Sequence, residues 1–219
     1  ANVVCLTWDG MKKTIPGVSP RWILADTEIF ARAPKRLTAS GVSDLLGKYT
    51  AILDWRVSHL VTGEYICEDI CELLERAIKD VDRELEDIRN GEWDAVEKLM
   101  YALVLSGLAM QMAGSPRPVS GAEHMAAHFW DMKDPKGDRG TLHGEEVGVA
   151  LVLVAEHYKK LERAIRHGMV KVRSDSARGL EMELLEKTFE DTEVLDGVLA
   201  DNDPNPLDEI DLEKLGERL

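Results

Sequence analysis

The sequence predicts a mainly α-helical domain with a short β segment at its N-terminus. From about residue 36 onward, apolar residues such as Leu45, Tyr49 and Leu53 recur near helical spacing. Before residue 28, short apolar runs alternate with turn residues, which is typical of strands. Among the 219 residues, 44% are hydrophobic and 31% charged, a composition that indicates a folded protein.

The β segment contains two candidate strands. The first is an apolar run from Val3 to Leu6, which is followed by the turn-like pair Asp9-Gly10. The second is the apolar run at residues 22–25. Because two short strands cannot bury their own surfaces, we expect this segment to be the trailing edge of a sheet whose other strands lie elsewhere.

Two long helices are predicted next. An amphipathic stretch at residues 64–88 is stopped by Asn90-Gly91, and a more apolar stretch at residues 93–112 is stopped near Gly114. Both stop signals are typical of helix ends, where glycine adopts the left-handed conformation at little cost.

Two further helices carry most of the histidines of interest. Ser120 and Glu123 fit a capping box, so a short helix is expected to begin just before His124. A long helix is expected to begin at His143. Residues 147–154 of that helix are apolar on all sides, which predicts that it is buried in the middle of a bundle.

Charge and cysteine content limit the partners and the compartment. A formal net charge of -14 argues against a nucleic-acid partner or an anionic membrane partner, because both need basic surfaces. The three cysteines, Cys5, Cys67 and Cys71, show no framework spacing, which indicates a reducing compartment. No signal peptide opens the sequence, and its longest apolar run falls far short of the ~20 residues that span a bilayer. We therefore predict a cytoplasmic protein.

Four polar side chains stand out as candidate metal ligands. His124 and His128 share one helical face, and His143 lies where a loop enters a helix. Asp44 is flanked by apolar residues, where a carboxylate is costly unless it is paired or binds metal. One carboxylate plus two imidazoles is a standard open site for a divalent metal. Spacing alone leaves ordinary core or surface histidines as the alternative.

Other catalytic signatures are missing from the sequence. It contains no HExxH motif, no glycine-rich phosphate loop of the common types and no GxSxG nucleophile elbow. His59, His157 and His167 are expected to be surface residues on amphipathic helices.

Several motifs, in order, resemble those of the sn-glycerol-1-phosphate dehydrogenases. That family belongs to the superfamily of iron-type alcohol dehydrogenases, glycerol dehydrogenase and dehydroquinate synthase. The resemblance covers roughly residues 9–160, and the tail beyond residue 175 contributes nothing to it. The matching segments are AP at 33–34, ASGVSDLLGKYT at 39–50, DW at 54–55, SGLAM at 106–110, RPVSGAEH at 117–124 and LHGEEVG at 142–148.

The resemblance implies a domain organisation. Residues 1–28 are interpreted as remnant strands of a missing N-terminal nucleotide-binding domain. Residues 29–219 are interpreted as a helical metal-binding catalytic domain, a dehydroquinate-synthase-like α-helical bundle. The family's glycine-rich nucleotide motif does not occur in this sequence, so the chain alone is expected to be inactive.

The resemblance also implies a site. Asp44, His124 and His143 would bind one divalent metal (Zn, Ni or Fe), and His128 would lie near the nicotinamide of NAD or NADP or on the proton path. Lys48, one turn after Asp44, is expected to meet the substrate phosphate.

Two other positions bear on that site. Arg117 is a further candidate to contact the substrate. Ser43, beside the proposed ligand Asp44, departs from the glycine that is usual in the family.

The implied activity is the interconversion of dihydroxyacetone phosphate and glycerol 1-phosphate, with a small phosphorylated polyol as partner and a homodimer as a candidate assembly. The alternatives are a related polyol dehydrogenase, a dehydroquinate-synthase-like enzyme and a non-catalytic helical metal-binding module.

Overall fold

A β-hairpin opens the computed structural model, which describes residues 3–134, 139–169, 178–189, 192–201 and 210. Strand β1 (Val3–Trp8) pairs antiparallel with β2 (Met11–Pro16). Asp9 and Gly10 form the two-residue turn with φ of 48° and 76°. Positive φ at both central residues is the geometry that Asp-Gly pairs favour in tight hairpins, so the predicted turn is confirmed.

The second strand is not where the sequence pattern placed it. The apolar run at residues 22–25 forms no strand, and the partner of β1 is the more polar segment that follows the turn. Trp22 and Leu24 are 85% and 97% exposed, because no described strand lies beside them. The tight turn fixes the pairing, and this local constraint outweighs the apolar character of the later run.

The other regular elements of the described chain are helices, which confirms the predicted mainly α-helical fold with a short N-terminal β segment. Two predicted stop signals are confirmed, because Gly91 and Gly114 each follow a helix in the left-handed conformation. The long helix predicted at residues 64–88 is wrong, since that stretch forms two helices, Glu68–Asp82 and Leu85–Asn90. The helices are α1 (Thr27–Ala31), α2 (Lys35–Leu46), α3 (Lys48–Thr62), α4 (Glu68–Asp82), α5 (Leu85–Asn90), α6 (Trp93–Ala113), α7 (Ala122–Lys133), α8 (His143–Arg166), α9 (Arg178–Thr188) and α10 (Thr192–Asp201).

The hydrophobic core lies mainly among α3, α4 and α6. Trp55, Leu74 and Ile78 are almost wholly buried there. Burial of a large aliphatic or aromatic side chain stabilises a fold by about 1.5–3 kcal/mol. Leu45 of α2 belongs to this core, so the residue that follows Asp44 is anchored in it.

Helix α8 packs against α2 and α7 through one face only. Val147 and Ala150 are fully buried, whereas Val149 and Val152 are 58% and 62% exposed. The prediction that residues 147–154 are buried on all sides is therefore wrong. No described residue covers the outer face of α8. Its apolar composition alone therefore did not predict which of its faces is buried.

The last helices pack beside different elements, α10 beside the hairpin and the end of α9 beside α7. Phe189, just after α9, packs edge-to-face on Phe129 of α7 with ring centroids 6.0 Å apart. In α10, Gly197 lies against the buried Met11 of β2. None of the described helices combines the length and the apolar composition that crossing a membrane requires. The domain boundary predicted at residue 28 stays a prediction, and the end of its second domain, after residue 210, lies outside the described residues.

Candidate metal centre

Three helices bring Asp44, His124 and His143 together. Asp44 lies near the end of α2, His124 in the first turn of α7, and His143 at the start of α8. Asp44 Oδ1 is 3.3 Å from His124 Nε2 and 3.9 Å from His143 Nε2. One ligand atom from each residue lies within 4.8 Å of the others. These side chains could hold a single ion between them.

Small residues allow α2 and α8 to approach closely enough for this geometry. A Cβ on Gly144 would come within 2.0 Å of the Ser40 carbonyl oxygen, and one on Gly148 within 2.9 Å of Ser43 Cβ. Hard-sphere contact therefore fixes the distance between the two helices. Ser43 is accommodated because α8 has Gly148 opposite it.

The start of α7 is held by a carboxylate from α3. Asp54 Oδ2 accepts a hydrogen bond from the backbone N–H of Ala122 at 2.5 Å, and the Tyr158 hydroxyl donates to Asp54 Oδ1. The N-cap residue is Gly121, so the predicted capping box with Ser120 is wrong. A carboxylate distant in sequence satisfies the helix end instead, which a local motif cannot reveal.

Glu123 orients His124. Its Oε1 lies 2.8 Å from His124 Nδ1 and accepts from the backbone N–H of Gly121, while its Oε2 accepts from the Thr50 hydroxyl at 2.6 Å. The side chain of Glu123 is fully buried. With Nδ1 donating to Glu123, Nε2 of His124 faces Asp44 Oδ1, and a metal bound there would take the place of the hydrogen between these two atoms. A carboxylate that accepts from the other ring nitrogen is the usual outer partner of metal-binding histidines.

Lys48 contacts Asp44, and its predicted contact with a substrate phosphate stays a prediction. Its Nζ donates to Asp44 Oδ2 at 2.8 Å, and its side chain is 3% exposed. Burial raises the pKa of Asp44, but hydrogen bonds from His124 and Lys48 together with their charges outweigh burial and hold that pKa well below its usual range. Asp44 is therefore an ionised ligand at neutral pH.

His128 lies beside the triad. Its ring centroid is 5.9 Å from that of His143 and 6.3 Å from that of His124. Burial and the neighbouring cationic side chains lower the pKa of His128 to about 4, so the imidazole is neutral at neutral pH. On the hairpin side, Cys5 Sγ lies 3.5 Å from His128 Nε2.

The donor set fits a divalent transition metal. Two imidazole nitrogens and one carboxylate oxygen suit Zn, Ni or Fe(II), and three protein ligands leave coordination positions for water or substrate. His143 is half-exposed, with 46% of its side chain accessible, so the site opens to solvent on that side. The arrangement can therefore bind a metal and admit a small molecule to it.

Other sequence-predicted positions lie apart from these contacts. Arg117 Nε donates to Glu64 Oε1 at 2.8 Å. His59, His157 and His167 are exposed, as predicted.

Sequence reasoning assigned no site role to Asp54, Thr50 or Glu123, which position the ligands. A carboxylate directly before the candidate ligand His124 was the one available signal for Glu123. The partnerships of Asp54 with Ala122 and of Thr50 with Glu123 span 68 and 73 residues, so no local pattern indicates them.

Several curated proteins with similar sequences share one name. The chain is 38% identical over 163 residues to the glycerol-1-phosphate dehydrogenase [NAD(P)+] of Pyrococcus furiosus, covering 74% of this chain and 46% of that protein. It is 40% identical over 156 residues to that of Aeropyrum pernix, covering 71% and 43%. It is 36% identical over 153 residues to that of Geobacillus thermodenitrificans, covering 69% and 38%.

These similarities extend over the larger part of this chain but the smaller part of each relative. The chain spans less than half the length of the curated relatives it matches. No protein-family model matches the chain. Several relatives agree at 35–40% identity over about 70% of the chain, and so the resemblance to the glycerol-1-phosphate dehydrogenase family that the motifs predicted is confirmed.

Proposed function

We propose that this chain is the metal-binding part of an NAD(P)-dependent glycerol-1-phosphate dehydrogenase, which interconverts dihydroxyacetone phosphate and glycerol 1-phosphate. The observation that carries the proposal is the meeting of Asp44, His124 and His143 at ligand distances in a chain whose relatives bear that name. The substrate class is a small phosphorylated polyol.

In this proposal the ligands come from three helices. Asp44, His124 and His143 would hold the ion, while Glu123 keeps Nε2 of His124 turned toward it. When bound, the metal supplies Lewis-acid stabilisation of negative charge on the substrate oxygen, and the nicotinamide supplies or accepts the hydride. The half-exposed side of His143 is where substrate would enter.

His128 would act as the proton acceptor during alcohol oxidation. Its low pKa keeps the ring neutral, so one ring nitrogen is free to take the hydroxyl proton.

Lys48 has two proposed contacts. Its ammonium group bonds to Asp44 Oδ2, which fixes the carboxylate so that Oδ1 faces the histidines. The predicted contact with the substrate phosphate would require Lys48 to share its hydrogen bonds between Asp44 and that phosphate. Lys48→Met should separate these roles, because loss of the first weakens metal binding and loss of the second raises KM only for phosphorylated substrates.

The test uses a longer protein in which this chain accompanies a nucleotide-binding domain. Metal-loaded protein should oxidise NADH or NADPH with dihydroxyacetone phosphate and much less with dihydroxyacetone. Asp44→Ala and His143→Ala should abolish metal retention and turnover together. Metal content and rates near those of the parent in either variant would contradict the proposal.

The same assay separates the alternatives. Preference for the unphosphorylated polyol would indicate a related polyol dehydrogenase. Metal retention with no hydride transfer in any such longer protein would indicate a non-catalytic metal-binding module. The chain alone is expected to transfer no hydride, because its sequence offers no glycine-rich nucleotide motif.

A further inference from the structure

A second polar cluster lies at the junction of the hairpin, α7 and α8. Glu146, three residues after His143 in α8, is 6% exposed. Its Oε1 accepts from the Thr141 hydroxyl at 2.8 Å and lies 3.3 Å from an Arg139 guanidinium nitrogen. Asp131 in α7, three residues after His128, forms an ion pair with Lys12 of β2 at 2.8 Å.

One oxygen atom of this cluster lacks a hydrogen-bond partner when the carboxyl groups of Glu146 and Asp131 are both ionised. Glu146 Oε2 is buried and has no hydrogen-bond partner among the residues that the structure describes. A buried polar atom without a partner costs about 1–3 kcal/mol, so such atoms are rare in folded proteins. The carboxyl group of Asp131 also acts on Glu146, and an ionised Asp131 has no hydrogen to donate.

A single proton on one of these two carboxyl groups would supply the missing hydrogen bond. Two carboxyl groups in contact cannot both ionise cheaply, and one of them keeps its proton. Asp131 is already paired with Lys12, whereas Glu146 is the more deeply buried of the two. A protonated Oε2 would donate to Asp131 and satisfy both groups.

We infer that Glu146 is a neutral carboxylic acid in the folded protein and donates a hydrogen bond to Asp131, which ties the first turn of α8 to α7. Glu146 is thus a positioning residue: it sets the spacing between the helix that carries His143 and the helix that carries His124 and His128. The inference concerns a cluster outside the triad and does not depend on the proposed activity.

The charges around Glu146 are consistent with a neutral carboxyl group. Burial raises the pKa of Glu146, and so do the charge and the hydrogen bond of Asp131, while Thr141 and Arg139 act in the opposite direction. Arg139 also pairs with Asp134, at 3.0 Å, which divides its charge between two carboxylates. From α2, Arg36 is held by Glu145 and the Gly140 carbonyl.

Glu145 offers a matched control on the same helix. It accepts two hydrogen bonds from Arg36, at 2.6 and 2.7 Å, and these lower the pKa of its carboxyl group to about 2. It is therefore an ionised neighbour of a residue that we infer to be neutral. Glutamine can replace a neutral carboxylic acid as a donor but cannot replace an ionised partner of arginine.

The experiment compares E146Q with E145Q at about pH 6, where an ordinary glutamate is ionised. E146Q should melt at or above the temperature of the parent chain and bind Zn²⁺ with the same affinity, whereas E145Q should melt lower. A Tm for E146Q that falls as far as that of E145Q would overturn the inference.

A carboxyl-carbon NMR titration of the parent chain tests the state directly. One glutamate should titrate at a higher pH than the others, its signal should be missing from E146Q, and D131N should move it to lower pH by removing the neighbouring charge. Ordinary titration of every glutamate in the parent chain would equally overturn the inference.

Discussion

Gly144 of α8 lies against Ser40 of α2 so closely that no Cβ fits between them: a methyl group there would come within 2.0 Å of the Ser40 carbonyl oxygen. Asp44 lies one helical turn after Ser40, and His143 directly precedes Gly144. Neither Gly144 nor Ser40 is a candidate ligand. Their contact nevertheless sets the distance between the candidate ligands Asp44 and His143.

Gly144→Ala should force α8 away from α2 and weaken metal binding. Overpacking of this kind typically costs about 1–3 kcal/mol, and the shift separates Asp44 from His143. Gly41→Ala is the control, because a Cβ there would meet Leu103 Cδ1 at 3.5 Å, an ordinary contact. Calorimetric titration with Zn²⁺ and thermal melting compare the two variants. Equal Zn²⁺ affinity in both would show that the helix contact does not set the site.

Glu123→Ala should weaken metal binding while leaving all three ligands in place. Without the Glu123 carboxylate, His124 loses the partner that turns Nε2 toward the ion, and loss of such a partner typically costs roughly 10–100-fold in affinity. Thr50→Val removes one of the hydrogen bonds to Glu123 and should have a smaller effect in the same direction. A Zn²⁺ affinity in Glu123→Ala equal to that of the parent would contradict this account.

Asp54→Ala should destabilise the start of α7. The backbone N–H of Ala122 loses its acceptor, and loss of a helix cap costs about 1 kcal/mol. Tyr158→Phe removes the hydroxyl that holds Asp54 and keeps the cap, so its cost should be smaller. Urea unfolding of the two variants gives the comparison, and a larger loss in Tyr158→Phe would argue against the capping role.

Cys71 should be protected from alkylation in the folded chain. It is fully buried, and burial raises the pKa of its thiol to about 11 from an ordinary 9.0. The folded state therefore holds this proton more tightly than the unfolded state, and stability should fall as pH rises through that interval. Cys71→Ala should lack this part of the pH dependence. Iodoacetamide at about pH 8 should modify the exposed Cys5 first, and rapid labelling of Cys71 would contradict the prediction.

Local patterns predicted the helical character of the chain and the helix ends at Gly91 and Gly114, because these glycines act on their own neighbours. They did not predict the break between α4 and α5. The ordered motifs also pointed to Asp44, His124 and His143, although those residues come from three separate helices. Contacts between distant segments were not predictable. Asp54 caps α7 although it lies 68 residues before Ala122 in the sequence. The outer face of α8 is exposed although its apolar composition is typical of a buried helix.

The predicted strand at residues 22–25 failed for a related reason. Apolar composition indicates where a segment could be buried, but a strand also needs a partner, and the Asp9-Gly10 turn gives that role to residues 11–16. The predicted homodimer and the cytoplasmic location stay predictions.

The most direct test of the metal centre is anomalous scattering from crystals of this chain grown with Zn²⁺, Ni²⁺ or Fe²⁺, with Asp44→Ala as the paired sample. The account predicts one strong peak about 2.0–2.2 Å from an Asp44 oxygen and from Nε2 of His124 and His143, and no peak there in the variant. A peak at other residues, or one that persists unchanged in Asp44→Ala, would contradict it.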